Sequence, residues 1–368
     1  MREENNMHRN QCLSEFHFTN PDHSQIIEAV IRKAEQVCPG SLALIGVYGS
    51  AATGDVHEKS DLDLLILIND ADGTKVSDAF LLQDCGIGYD PYCTTWEMLA
   101  EDAQCSHPHL AKLLDSRIVY IQDPAALPRL EALRKQALDL LSSDERYIPA
   151  GHLLRRAKEL YADCCLADSL SEARIAAGCC IQVLLDAVML YHGAYYKRGT
   201  KRTFAELQQL SLPFSLQEAV TAVICAGSVR DMQSRLNMLL RLVNGHLQFP
   251  AEKSAPTADS ICGSYEEMYS NWKNKMTEAA DRGDIYSSFM NLLSLQMMFR
   301  DLEAGIALEP IDVMAGFHPE NLTENALHFD QAIRKYRSIY EKLGLSVREF
   351  ADVKAFVREY LSSDSSHL

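Results

Sequence analysis

Two short apolar runs constrain this chain more than any other feature: LALIGVY (Leu42–Tyr48) and LDLLILI (Leu62–Ile68). Each is too short for a buried helix. Each is also closed by breakers, Pro39-Gly40 and Gly49 around the first and Asn69-Asp70 after the second. Both therefore read as buried strands. The second is entered through Asp61-Leu62-Asp63. On a strand, residues i and i+2 share a face, so the two carboxylates stand side by side with Leu65 and Leu67 continuing inward. Charge at the mouth of a buried strand needs compensation.

Like charges at this spacing raise one another's proton affinity unless a cation lies between them. A hard divalent ion such as Mg²⁺, which prefers oxygen ligands and brings substrate phosphates with it, suits the pair. Gly49 and Ser50 leave the first strand into a short helical turn ending at Gly54. Backbone N–H groups and the Ser50 hydroxyl there would cradle phosphate oxygens, with glycine allowing close approach.

The surrounding pattern mixes α and β up to residue 123. Ser24–Cys38 carries a helical apolar stripe, and Thr74–Gln83 also reads as helix. Gly86–Cys93 reads as a third strand, Thr94-x-x-Glu97 as a capping box, and Arg117–Ile121 as a fourth strand. Beyond residue 124 the pattern is helical, with a turn expected at 149–151 and a capping box at Ser169-x-x-Glu172. The helix after that box is apolar all round and so central to a bundle. Residues 251–262 read as a linker, and further boxes at Ser264-x-x-Glu267 and Ser346-x-x-Glu349 open later helices. The expected organisation is an arm at 1–24, a catalytic domain at 25–123, a helical substrate-side domain at 124–250 and a second helical segment at 263–368. The fold class is α+β, a mixed sheet of about four or five strands flanked by helices and followed by an all-α bundle region.

The stretch GSAATG…SDLDLLI resembles the signature of the DNA polymerase β-like nucleotidyltransferase superfamily, in which Gly-Ser precedes Asp-x-Asp by about ten residues. Here the spacer is Ala51 to Ser60. The branches it resembles are aminoglycoside nucleotidyltransferases and minimal nucleotidyltransferases, and the likeness covers residues 25–123. It implies a third metal carboxylate on a later strand, which YDPYCTTWEML places at Asp90. It implies two Mg²⁺ ions held by Asp61, Asp63 and Asp90, with Gly49 and Ser50 on the β,γ-phosphates of ATP or another NTP. It also implies a general base from the helical region. Glu159 in RRAKELY is the first candidate for that base, although a solvated helix-face glutamate is its plainer reading. Thr53 stands where many minimal members carry arginine, and Pro91 follows the third carboxylate. The run YYKRGTKRTF (Tyr195–Phe204) packs four basic residues into six positions. Lys201 could reach triphosphate oxygens from it, or the run could simply neutralise a helix end.

Composition narrows the partners. Thirty-five Lys+Arg stand against 51 Asp+Glu, a net charge of −16, which argues against a nucleic-acid partner and favours a cationic one. Eleven cysteines occur with no CxxC, so a reducing cytoplasmic setting with no membrane span is expected. The resulting expectation is an enzyme moving a nucleoside monophosphate from an NTP to a hydroxyl of a small, aminoglycoside-like molecule. The alternatives are a protein-AMPylating antitoxin-type enzyme and a non-catalytic nucleotide-binding regulator.

Overall fold

In the computed structural model, residues 18, 20–56, 60–249 and 253–362 are described. The chain divides into two compact units, residues 1–249 and 250–368. The fold is α+β in its N-terminal part and helical beyond it.

In the first unit, helix α1 (Pro21–Val37) leads to strand β1 (Leu42–Val47), the one-and-a-half-turn helix α2 (Gly49–Thr53) and strand β2 (Leu64–Ile68). Then come strands β3 (Phe80–Leu82), β4 (Ile87–Tyr89) and β5 (Cys93–Thr95), helices α3 (Trp96–Asp102) and α4 (Ala111–Leu114), and strand β6 (Arg117–Ile121). The main sheet has four strands in the order β5-β2-β1-β6, and β3 and β4 form a separate hairpin. Every residue of β1 and β2 is buried, because both faces are covered. Ile45, Val47, Leu64 and Ile66 pack under α1 with Ile27 and Ala34. Leu44, Leu65 and Leu67 pack on the other face with Trp96, Leu99 and Leu130. Burying an aliphatic side chain of this size contributes about 1.5–3 kcal/mol, so these few residues account for much of the sheet's stability.

Helices α5 (Ala126–Ser142), α6 (Tyr147–Cys165), α7 (Leu170–Tyr191), α8 (Thr203–Leu207), α9 (Leu216–Ile224) and α10 (Val229–His246) complete the unit. The core beneath the sheet runs on without a break through Leu130 and Ala137 to Ala150 and Leu190, so sheet and helices fold onto one another. Helix α7 starts with the expected capping box at Ser169 and Glu172, and Leu184–Leu190 is buried without interruption. By length and composition alone it could cross a membrane, but here it is the central helix of the bundle core. The second unit holds α11 (Ala258–Ile261), α12 (Ser264–Arg282), α13 (Ile285–Gly305), α14 (Leu322–Lys342) and α15 (Val353–Ser362). Its core is built around Met268, Leu292, Phe299, Phe329 and Tyr336.

Several local expectations are corrected. Thr74–Gln83 is not a helix. It is the end of a 3₁₀ turn (Ala71–Val76) followed by β3, where pairing with β4 overrides weak helical patterning. The expected third strand is two strands, β4 and β5, separated around Pro91, which cannot donate to a ladder. The helix-opening cap is Thr95, which accepts from the Met98 N–H, one residue later than expected. Pro149 lies in the first turn of α6, where its missing N–H has no partner to lose, so 149–151 is helix rather than turn. Gly263, not Ser264, caps α12, and Ser346–Glu349 is non-helical, with Asp352 accepting from the Ala355 N–H at the last helix. Part of the expected linker is the single turn α11. Most of the expected N-terminal arm lies outside the described residues.

Candidate active site

Strand directions gather the candidate residues. Strand β1 runs antiparallel to both β2 and β6, pairing Val47 with Leu64 and with Arg117. Strand β5 runs parallel to β2, pairing Cys93 with Ile66. The end of β1 and the starts of β2, β5 and β6 therefore share one edge of the sheet. At that edge stand Gly49-Ser50, Asp61 and Asp63, Asp90 and Asp115. Asp90 precedes Cys93 by the same three residues that separate Asp63 from Ile66.

Asp63 is the pivot. It lies just ahead of β2, half-buried, and its backbone carbonyl accepts from the Tyr48 N–H at 3.1 Å, extending the β1–β2 pairing by one step. Its carboxylate accepts the Ser50 N–H, while burial and then the charge of Asp61 raise its pKa from 3.8 to about 6. Gly49 has φ +64°, and a Cβ built there would fall 1.9 Å from Asp63 Oδ2. Only glycine permits this approach of backbone to carboxylate. Asp61 is exposed, so the two acids occupy different surroundings.

Two tyrosines border the pair. Tyr48 and Tyr92 hydroxyls are 3.3 Å apart, and burial, Tyr92 and Asp63 push the Tyr48 phenol well above its ordinary range. Lys112 Nζ lies 5.7 Å over the Tyr92 ring and pairs with Asp102 at 3.5 Å. Asp90 is exposed. Its place at the shared edge follows from strand register, and among the described residues no three His, Cys, Asp or Glu side chains form a cluster able to hold a metal. Two carboxylates fit a Mg²⁺ ion nonetheless, because that ion commonly takes one or two protein carboxylates and completes its shell with phosphates and water. The raised pKa of Asp63 supports the fit, since a cation between the acids would relieve both burial and repulsion.

The helical part reaches the same edge through residues 195–206. Arg202 grips Asp55, just beyond α2, with two bonds of 2.7 and 2.6 Å, which holds the Asp55 carboxyl below its usual range. Tyr195 donates to Asp115 at 2.9 Å. Thr53, Tyr195, Lys197, Arg198 and Glu206 line a cleft of about 490 Å³, whose lining includes neither Asp61 nor Asp63. Lys201 is exposed next to Arg202. Glu159 sits on an exposed face of α6 and bonds Arg156 at 2.8 Å, the geometry of a solvated helix-face pair. The basic run in the sequence pointed to this segment, but Arg198, Arg202 and Asp115 gave no sign of their separate roles. Those depend on partners 147 residues away for Arg202 and 80 for Asp115.

Residues 24–84 match the family model described as a nucleotidyltransferase domain, a span that includes Gly49, Ser50, Asp61 and Asp63. A bifunctional uridylyltransferase/uridylyl-removing enzyme of Pseudomonas putida (strain W619) is 29% identical over 127 residues, 33% of this chain and 13% of that protein. The corresponding enzyme of Pseudomonas entomophila (strain L48) is 30% identical over 129 residues, 34% of this chain and 13% of that protein. The chain thus spans about an eighth of the length of these curated relatives. A solved nucleotidyltransferase-like protein from Exiguobacterium sibiricum 255-15 aligns with a TM-score of 0.34 at 13% identity, over 75% of this chain and 91% of that one. The N-terminal part of this chain is therefore a nucleotidyltransferase domain, and the C-terminal region is helical.

Proposed function

We propose that the chain transfers a nucleoside monophosphate from an NTP to a hydroxyl of a small molecule, releasing pyrophosphate. The observation that carries this reading is the contact of Gly49 with Asp63, where the Gly-Ser turn and a carboxylate meet with no room for a side chain. Asp61 and Asp63 would hold Mg²⁺, with Asp90 as the third carboxylate at the same edge. The ion would supply charge neutralisation for the phosphates and for the leaving pyrophosphate. The protein's own part is positioning. The Gly49 N–H and the Ser50 hydroxyl would meet the β,γ-phosphates, while the Ser50 N–H, held by the Asp63 carboxylate, fixes carboxylate and turn relative to each other. The cleft beside Thr53 gives the acceptor a wall. Asp90, exposed to solvent, would receive the proton of the attacking hydroxyl.

ATP is the donor expected from the sequence resemblance, and the names of the two Pseudomonas relatives add UTP. The test is pyrophosphate release from each of the four NTPs with Mg²⁺, with and without a panel of aminoglycosides and other polyols, beside an Asp61→Asn/Asp63→Asn double variant. Release that needs both an acceptor and the two aspartates is the expected result. Mg²⁺-dependent NTP binding without release under any acceptor would point to a protein acceptor or a regulatory role. Neither binding nor release in the wild type would sink the carboxylate argument.

A further inference from the structure

The chain carries a net charge of −16, yet the wall of its cleft is cationic. Lys197 and Arg198 line it, and their one acidic neighbour in the lining is Glu206. Glu206 is 7% exposed, and burying a carboxylate is costly unless it is paired and fully bonded. Both of its oxygens are occupied from one side. Oε2 accepts the Lys197 backbone N–H at 3.0 Å and Oε1 accepts Arg198 Nε at 2.9 Å. This arrangement grips the guanidinium by its Nε alone. The two terminal amino groups, the flat fork that matches an oxyanion, have no protein partner among the described residues, and the side chain keeps 31% of its exposure. Arg202 is different, because both arms of its contact are taken by Asp55. Asp55, just beyond α2, is held low by Arg202 and also by the charges of Lys201 and Arg198, so all three cations lie near the end of α2.

We infer that Arg198, held in place by buried Glu206, is an oxyanion receptor in the cleft beside Thr53, built to take a phosphate-class group. A guanidinium fork binds such a group through two parallel charge-assisted bonds, and orienting it beforehand reduces the entropy lost on binding. The local field thus reverses what net charge suggests, and the cleft favours an anionic group over a polycation. The group has two possible sources, the terminal phosphates of the donor or a phosphate on the acceptor. Assigning the first of these rests on the nucleotidyl-transfer reading. The receptor itself does not.

The experiment is calorimetric titration of the full chain and its Arg198→Gln, Arg198→Lys and Glu206→Gln variants with inorganic tripolyphosphate, ATP, UTP, AMP and ribose 5-phosphate. Ribose 5-phosphate is measured alone and with ATP saturating. Arg198→Gln should weaken an oxyanion probe about tenfold or more, the loss of a bidentate charged contact. Arg198→Lys should recover part of the loss, and Glu206→Gln should fall between wild type and Arg198→Gln. Weakening of tripolyphosphate, ATP and UTP but not AMP identifies the donor's phosphate tail. Weakening of ribose 5-phosphate under saturating ATP identifies the acceptor. Asp63→Asn is included to separate the two readings, because Arg198-dependent oxyanion binding should persist in it even where nucleotidyl transfer fails. Equal affinity of wild type and Arg198→Gln for every probe, with thermal melts confirming that both are folded, overturns the assignment.

Discussion

Replacing Asp63 by asparagine should make the ion-free protein more stable while abolishing its activity. The sign comes from the direction of the pKa shift. Asp63 has a folded-state pKa raised from 3.8 to about 6, so the folded chain binds the proton more tightly than the unfolded one. The stability this gives is fully present below the unfolded value. It is lost as pH rises from about 4 through about 6. At about 1.36 kcal/mol per tenfold change in proton affinity, the ionised carboxylate costs on the order of 3 kcal/mol at neutral pH. Solvent screening at this half-exposed mouth reduces that to about 1–2 kcal/mol. Asparagine keeps an oxygen for the Ser50 N–H and carries no charge. The assay is urea unfolding of wild type and variant from pH 4 to 8 without divalent ions. Asp63→Asn should exceed wild type by about 1–2 kcal/mol at pH 7.5, with the difference closing toward pH 4. Adding Mg²⁺ with an NTP should raise the wild type more than the variant, which keeps only the phosphate contacts that do not pass through the ion. A variant less stable than wild type at pH 7.5, or a difference that does not vary with pH, refutes the reasoning.

Two further predictions use contrasts within the fold. Gly49→Ala should lower pyrophosphate release by about a hundredfold, because a displacement near 1 Å at reacting groups is worth about that much, and the new Cβ would drive into Asp63 Oδ2. Gly54→Ala is the control. Its φ is also positive, at +74°, but a Cβ there meets nothing within 4 Å, so it should lose about 1–2 kcal/mol of stability and keep its activity. Equal activities for the two variants would disprove the close-approach argument. His109 bonds buried Asp186 at 3.3 Å, and that bond raises its pKa. The pair's contribution is fully present below the ordinary histidine pKa of 6.5 and fades as pH rises through the raised folded value. His109→Gln should therefore destabilise more at pH 6 than at pH 8.5 in thermal melts, and the reverse order would rule this out.

Local sequence was enough to define the buried strands, the turn and the acids. Apolar runs bounded by breakers are local facts, and the two-residue period of a strand sets Asp61 and Asp63 at its entrance without help from the rest of the chain. The all-round apolar character of Leu170–Tyr191 likewise announces a central helix. Helix starts at Thr94 and Ser264 were not legible locally: the neighbouring Thr95 takes the first cap, and Gly263, in the left-handed region at φ +79°, stands at the second with no side-chain cap at all. The local pattern of Thr74–Gln83 also reads as helix, since a three-residue edge strand gains its stability from a partner strand rather than from its own pattern. Folding decided everything that needed a distant partner. Which cation stays free was settled there. Arg202 is taken up by Asp55 and Arg198 is held by a buried Glu206, while Lys201, equal to them in the sequence, remains in solvent. Net charge and composition sum over the whole chain and carry no position, whereas a binding cleft responds only to the few charges that folding brings to its wall.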